Sequence, residues 1–71
     1  MTSEQYAKLK DGDELVITQH GKNRGKRCIV INATPDYRRV HVRLIDDGDF
    51  FDKRGSKERV MAHESLGFPM N

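Results

Sequence analysis

Across residues 39–44, Arg39-Val40-His41-Val42-Arg43-Leu44, charged and apolar side chains alternate without a break. A strand sends successive side chains to opposite faces, so Val40, Val42 and Leu44 share one face and Arg39, His41 and Arg43 the other. This is the pattern of a half-buried antiparallel strand, apolar inward and charged outward. Weaker versions of it run through the rest of the chain. Glu14-Leu15-Val16-Ile17-Thr18 is a β-type run between Asp11-Gly12-Asp13 and His20-Gly21, and Arg27-Cys28-Ile29-Val30-Ile31-Asn32-Ala33 is a second. Thr34-Pro35-Asp36-Tyr37 reads as a turn, with proline fixing the local backbone.

After the turn at Asp46-Asp47-Gly48-Asp49, Phe50-Phe51 begins a fourth strand or a bent loop whose rings close the core. Lys53-Arg54-Gly55-Ser56-Lys57 is another turn, and Arg59-Val60-Met61-Ala62-His63 is the last strand candidate. Leu66 and Phe68 are expected to pack inward from a short terminal segment. At the other end, Thr2 and Gln5 are spaced as a helix cap and its reciprocal partner. Gly12 limits that helix to a turn or two. Short strands at close spacing with turns between them predict an all-β fold, a small barrel of four or five antiparallel strands.

Seventy-one residues make one domain, 1–71, whose core is small. Cys28 is the only cysteine, so no disulfide staples the chain, and the ligands of a structural zinc site are missing. A buried, reduced thiol and a reducing cytoplasm are expected. Met1-Thr2-Ser3-Glu4-Gln5 lacks the basic-then-apolar start of a secretory leader, and no apolar run approaches the ~20 residues of a membrane helix. A soluble protein with no membrane partner is the expectation.

Net charge is only +2, but it is segregated. Acidic residues gather at 11–14, at 46–52 and around Glu58 and Glu64, basic ones at 22–27 and 38–43. Residues 12–30, from Gly12-Asp13 through the strand to Gly21-Lys22-Asn23-Arg24-Gly25-Lys26-Arg27-Cys28-Ile29-Val30, resemble a KOW motif. In that family a Gly-Asp pair leads into a strand, a glycine-and-lysine loop follows, and a second strand runs back. Two positions depart from the pattern. One extra residue separates Gly12-Asp13 from Gly21, which a β-bulge in the first strand would absorb. Cys28 stands where the family usually has a third glycine.

The resemblance implies an SH3-like barrel that binds rather than catalyses. KOW domains contact ribosomal RNA in ribosomal proteins, and RNA polymerase or other proteins in NusG-type elongation factors. This chain is expected to be a free-standing barrel that contacts RNA or a ribonucleoprotein complex. The candidate nucleic-acid-binding residues form two groups. His20, Lys22, Asn23, Arg24, Lys26 and Arg27 lie on the loop and its exit, where glycine permits the positive φ of a tight hairpin and close approach of a phosphate. Arg38, Arg39, His41 and Arg43 lie on the outward strand face, with Tyr37 beside them to stack on a base or sugar. The alternative is a protein-interaction module or small regulatory adaptor, such as a phage encodes, using a strand edge or the Phe50-Phe51 region.

Other chemistry finds little footing. His20, His41, His63 and Cys28 show no tight ligand spacing, and residues 46–52 lack the ordered ligands and closing glutamate of an EF-hand. No nucleophile elbow, P-loop or Gly-x-Gly-x-x-Gly occurs. A small barrel also has little room for a water-excluding catalytic cleft. No enzyme activity, cofactor or small-molecule substrate is expected. If about four cations engage single-stranded phosphates, the salt slope is roughly −3, and affinity for RNA falls on the order of fiftyfold between 50 and 200 mM salt. A binding titration at the two ionic strengths measures this, and an apolar contact with a protein would barely respond.

Overall fold

A computed structural model describes residues 3–34 and 38–69. The chain opens with helix α1 (Ser3–Ala7) and continues through β1 (Glu14–Ile17), β2 (Arg27–Thr34), β3 (Arg39–Leu44) and β4 (Glu58–Ala62). A 3-10 turn (His63–Ser65) then leads into β5 (Leu66–Gly67). The five strands form one antiparallel sheet in the order β4-β3-β2-β1-β5. The small all-β domain predicted from the alternation is thus present. The 3-10 turn connects the two strands at the ends of the ladder.

β3 occupies its predicted residues, and its alternation is realised: Val40, Val42 and Leu44 are buried while Arg39 and Arg43 are exposed. Leu15, Ile17, Cys28, Val30 and Leu66 meet them from the other strands, and Tyr6, Phe51 and Met61 complete the core. In β2 the register shifts between Val30 and Asn32. Strict alternation from Cys28 and Val30 would send Asn32 inward. The bulge instead turns Asn32 out and sets half-buried Ala33 opposite Val40, so no amide enters the core.

Both ends of the β1–β2 hairpin use one backbone device. At the open end, Asp13 N donates to Lys10 O (3.1 Å), Gly12 N donates to Val30 O (2.7 Å), and Val30 N donates to Asp13 O (2.8 Å). Gly12 and Asp13 therefore face Val30 together, a glycine bulge at the entrance to β1 that requires the +92° φ of Gly12. The Asp13 carboxylate accepts from Lys10 N at 2.9 Å and tightens the turn. At the tip, Lys26 N donates to Asn23 O (3.1 Å), Gly25 N to Ile17 O (2.8 Å), and Ile17 N to Lys26 O (3.0 Å). Gly25, with φ +89°, repeats the part of Gly12. Residues 18–26 form the hairpin connection between the two strands.

Other expectations change. Phe50-Phe51 takes the bent-loop option and starts no strand. Asp52 causes this: its carboxylate accepts the N–H groups of Arg54 (2.9 Å) and Ser56 (3.2 Å), folding the segment into a turn that buries Phe51. His63 leaves β4 for the 3-10 turn, where it is buried and stacks on Tyr6 with ring centroids 5.2 Å apart. The Tyr6 hydroxyl donates to Arg39 O (3.1 Å), which pins α1 to the sheet. Leu66 packs inward as expected, but Phe68 is 42% exposed, because β5 ends at Gly67 and carries the chain past the core. Thr2, the expected helix cap, and Pro35, Asp36 and Tyr37 lie outside the described residues.

A Cβ at Gly12 or Gly25 meets no atom within 4 Å, so only the backbone conformation resists substitution there. Gly12→Ala and Gly25→Ala are each expected to destabilise the fold by about 1–3 kcal/mol, the cost of a strained left-handed residue. Urea unfolding checks this.

Candidate nucleic-acid interface

The hairpin tip is held from beneath by the acidic turn. Arg27 donates to Asp46 Oδ1 at 2.8 Å and stands 3.8 Å from Glu14, while Lys26 is 3.5 Å from Asp49. The hydrogen bond and charge of Asp46, with the charge of Glu14, bind the Arg27 proton more firmly than in a free guanidinium. Ile45 N donates to Arg27 O (3.2 Å), so backbone and side chain act together. Lys57 donates to Asp46 O at 3.1 Å and lies 3.9 Å from the Asp47 carboxylate. The acidic run thus clasps the exit of the basic loop.

The outward face of β3 is compensated as well. Glu58 on β4 lies opposite Arg43 in the ladder, and its carboxylate reaches His41 Nε2 (3.1 Å) and Arg43 Nη1 (3.5 Å). Exposed pairs of this type contribute little stability, but the Glu58 carboxylate reduces the field that Arg43 projects. Among the described residues, Lys22, Arg24, Arg38 and Arg39 have no ion pair of 4.0 Å or less.

Three adjoining cavities trace a groove beside β4. In the first, His20, Lys22 and Asn23 of the loop face Arg59 and Met61. In the second, Gln19 meets Arg39, Arg59 and Val60. In the third, Lys22, Asn23 and Lys26 face Phe50, Asp52 and Lys53. Gln19, Arg59 and Met61 line both the first and the second, and Lys22 and Asn23 both the first and the third. Five cations, Lys22, Lys26, Arg39, Lys53 and Arg59, line this groove against the single carboxylate of Asp52. Hydrogen bonds from the N–H groups of Ser56 and Arg54 hold that carboxyl below its usual range.

The groove therefore joins His20, Lys22, Asn23 and Lys26 to Arg39, linking the two predicted groups at one point. It does not include Arg24, Arg27, Arg38, His41 or Arg43 among its lining residues; Arg38 lines a separate cavity with Tyr6 and Lys10 near α1. Tyr37 lies outside the described residues. Sequence reasoning missed Arg59 and Lys53, and offered the Phe50-Phe51 region only for a protein partner. Arg59 shares its strand face with Met61, an alternation visible in the sequence, and its guanidinium caps the buried Phe51 ring 4.9 Å from the centroid.

Comparison with known proteins returned nothing: no family model, no curated protein and no solved structure matches the chain. Among the described residues, no three His, Cys, Asp or Glu side chains gather as metal ligands, and no helix is long and apolar enough to cross a membrane.

Cys28 is fully buried, and its thiol donates to Leu15 O at 3.5 Å. Burial, helped by the charge of Glu14, pushes its pKa up to about 11. The native state favours the neutral thiol, so its contribution to stability is whole below the unfolded-state pKa and is lost as pH rises through about 11. Stability is expected to fall from about pH 9 upward, and Cys28→Ser should flatten that fall; urea midpoints across the alkaline range measure it.

Proposed function

We propose that this chain is a non-catalytic binding module that contacts RNA or an RNA-containing complex through the groove beside β4. One observation carries the reading: the loop, β3, β4 and the segment at residues 50–53 contribute five cations to one concave surface that holds a single carboxylate. A groove of one sign concentrates its field and attracts a polyanion. The strand–loop–strand at residues 12–31, with glycine turns at both ends, and the five-stranded antiparallel sheet support the KOW-like, SH3-like reading.

The contact rests on the loop and groove more than on the arginine strand. His41 and Arg43 already share Glu58, and Arg27 is committed to Asp46. A phosphate approaching them competes with a carboxylate already in place. Lys22 and Arg24, exposed at the tip, meet no such competition among the described residues.

The open side of β4 favours a second reading, a protein partner. Leu44 N donates to Lys57 O and His63 N to Arg38 O, so the register turns the backbone groups of Arg59 and Met61 toward β3 and those of Glu58, Val60 and Ala62 away from it. Val60 is also 53% exposed, and an extended peptide could add to such an edge.

Charge reversal separates the two. Lys22→Glu combined with Arg24→Glu is expected to weaken binding to single-stranded RNA and to lower the salt slope by about 1.4, while the thermal midpoint holds. Arg43→Gln should change affinity less than about twofold, since that cation is already compensated. Unchanged retention of the double variant on RNA at low salt would overturn the RNA reading.

A further inference from the structure

Adjacent phenylalanines have opposite fates in this fold. Phe51 is buried with Arg59 over its ring, whereas Phe50 is 43% exposed although it is one residue away. Phe50 is nevertheless held. Its ring lies against Gly55, where a Cβ would stand 3.7 Å from Cδ1, and the +83° φ of Gly55 makes glycine the fitting residue. Lys57 Nζ sits 5.9 Å from the ring centroid, and it is itself tethered by its hydrogen bond to Asp46 O. Phe51 N donates to Ser56 O at 2.7 Å, closing the turn beneath. An exposed aromatic ring is thus flanked by Gly55 and Lys57, neighbours that restrict its side chain before a ligand covers it.

That ring lines a cavity of about 370 Å3 together with Lys22, Asn23, Lys26, Asp52 and Lys53. Lys26 is engaged by Asp49. Lys22 and Lys53 have no ion pair among the described residues. A flat apolar surface with cations at its margin suits a ligand that is itself a flat ring attached to a phosphate. An apolar protein side chain would cover the ring but would also strip water from the lysines without pairing them. Asn23 adds an amide that can both donate to and accept from a base edge.

We infer that the Phe50 cavity is a base-stacking subsite for single-stranded polynucleotide, in which one unpaired base lies on the Phe50 ring while Lys22 and Lys53 hold its flanking phosphates. This rests on the RNA-binding reading and adds to it a requirement for unpaired bases, since a base within a duplex keeps its faces stacked on its neighbours.

The test uses the whole chain and end-labelled ten-nucleotide oligouridylate, its deoxy counterpart, and an RNA duplex of equal length, all at 50 mM salt. Phe50→Ala is expected to weaken binding to both single strands by about tenfold or more, the usual loss for one stacked base, and to leave the duplex unaffected. Phe50→Leu, which retains apolar bulk, should show the same loss. Phe50→Trp should restore affinity, with its indole emission quenched as oligouridylate is added. If Phe50→Ala and Phe50→Leu bind as the parent does while Lys22→Glu with Arg24→Glu still weakens binding, the stacking subsite is overturned and the RNA-binding reading stands. If the parent chain binds none of the three nucleic acids, both are overturned.

Discussion

Two sets of backbone hydrogen bonds, each built around a left-handed glycine, fix the β1–β2 hairpin from its two ends. Gly12 and Asp13 close around Val30, and Gly25 and Lys26 close around Ile17. The consequences spread through the fold. They set the register that pairs Leu15 with Cys28, and so put both side chains inside. β2 then serves as the template for β3, and β1 as the template for β5. In a domain this small, a register slip of one residue would turn the whole apolar set of a strand to solvent, and these clamps oppose it.

The same hairpin determines where charge is displayed. Its connection is long enough to reach across to β4, bringing Lys22 and Asn23 beside Arg59 and Met61. Because residues 50–53 fold back as a turn around Asp52, Lys53 and Phe50 reach the same groove from the other side. The concave surface is therefore a product of loop lengths and not of one basic stretch.

Much of the architecture could be read from residue patterns. The alternation at Arg39–Leu44 located β3 to the residue, and the apolar runs located β1, β2 and β4 to within a residue or so. Where alternatives were open or a segment strayed, the physical reasons differ. Phe50-Phe51 has the composition of a strand, yet a carboxylate two positions away captured the local backbone. Phe68 lost its place because pairing stopped at Gly67, which no local pattern announces. The candidate site was less legible still. The arginine-rich face of β3 was conspicuous in the sequence, but its cross-strand neighbour Glu58 is set by register, and Arg59 entered the groove through a pairing that only the folded sheet defines.

On the proposed RNA-binding reading, the acidic clasp at residues 46–49 also bears on selectivity. Its carboxylates already sit against Arg27 and Lys26 as tethered, permanently available counter-ions. A lone small anion gains little by evicting a neighbour that is covalently held at high local concentration. A ligand carrying many linked charges can accept that exchange, because its other contacts keep it in place while one cation changes hands. If the proposed polyanion contact holds, built-in occupancy of this kind would act as a threshold, filtering by valence before shape or sequence is consulted.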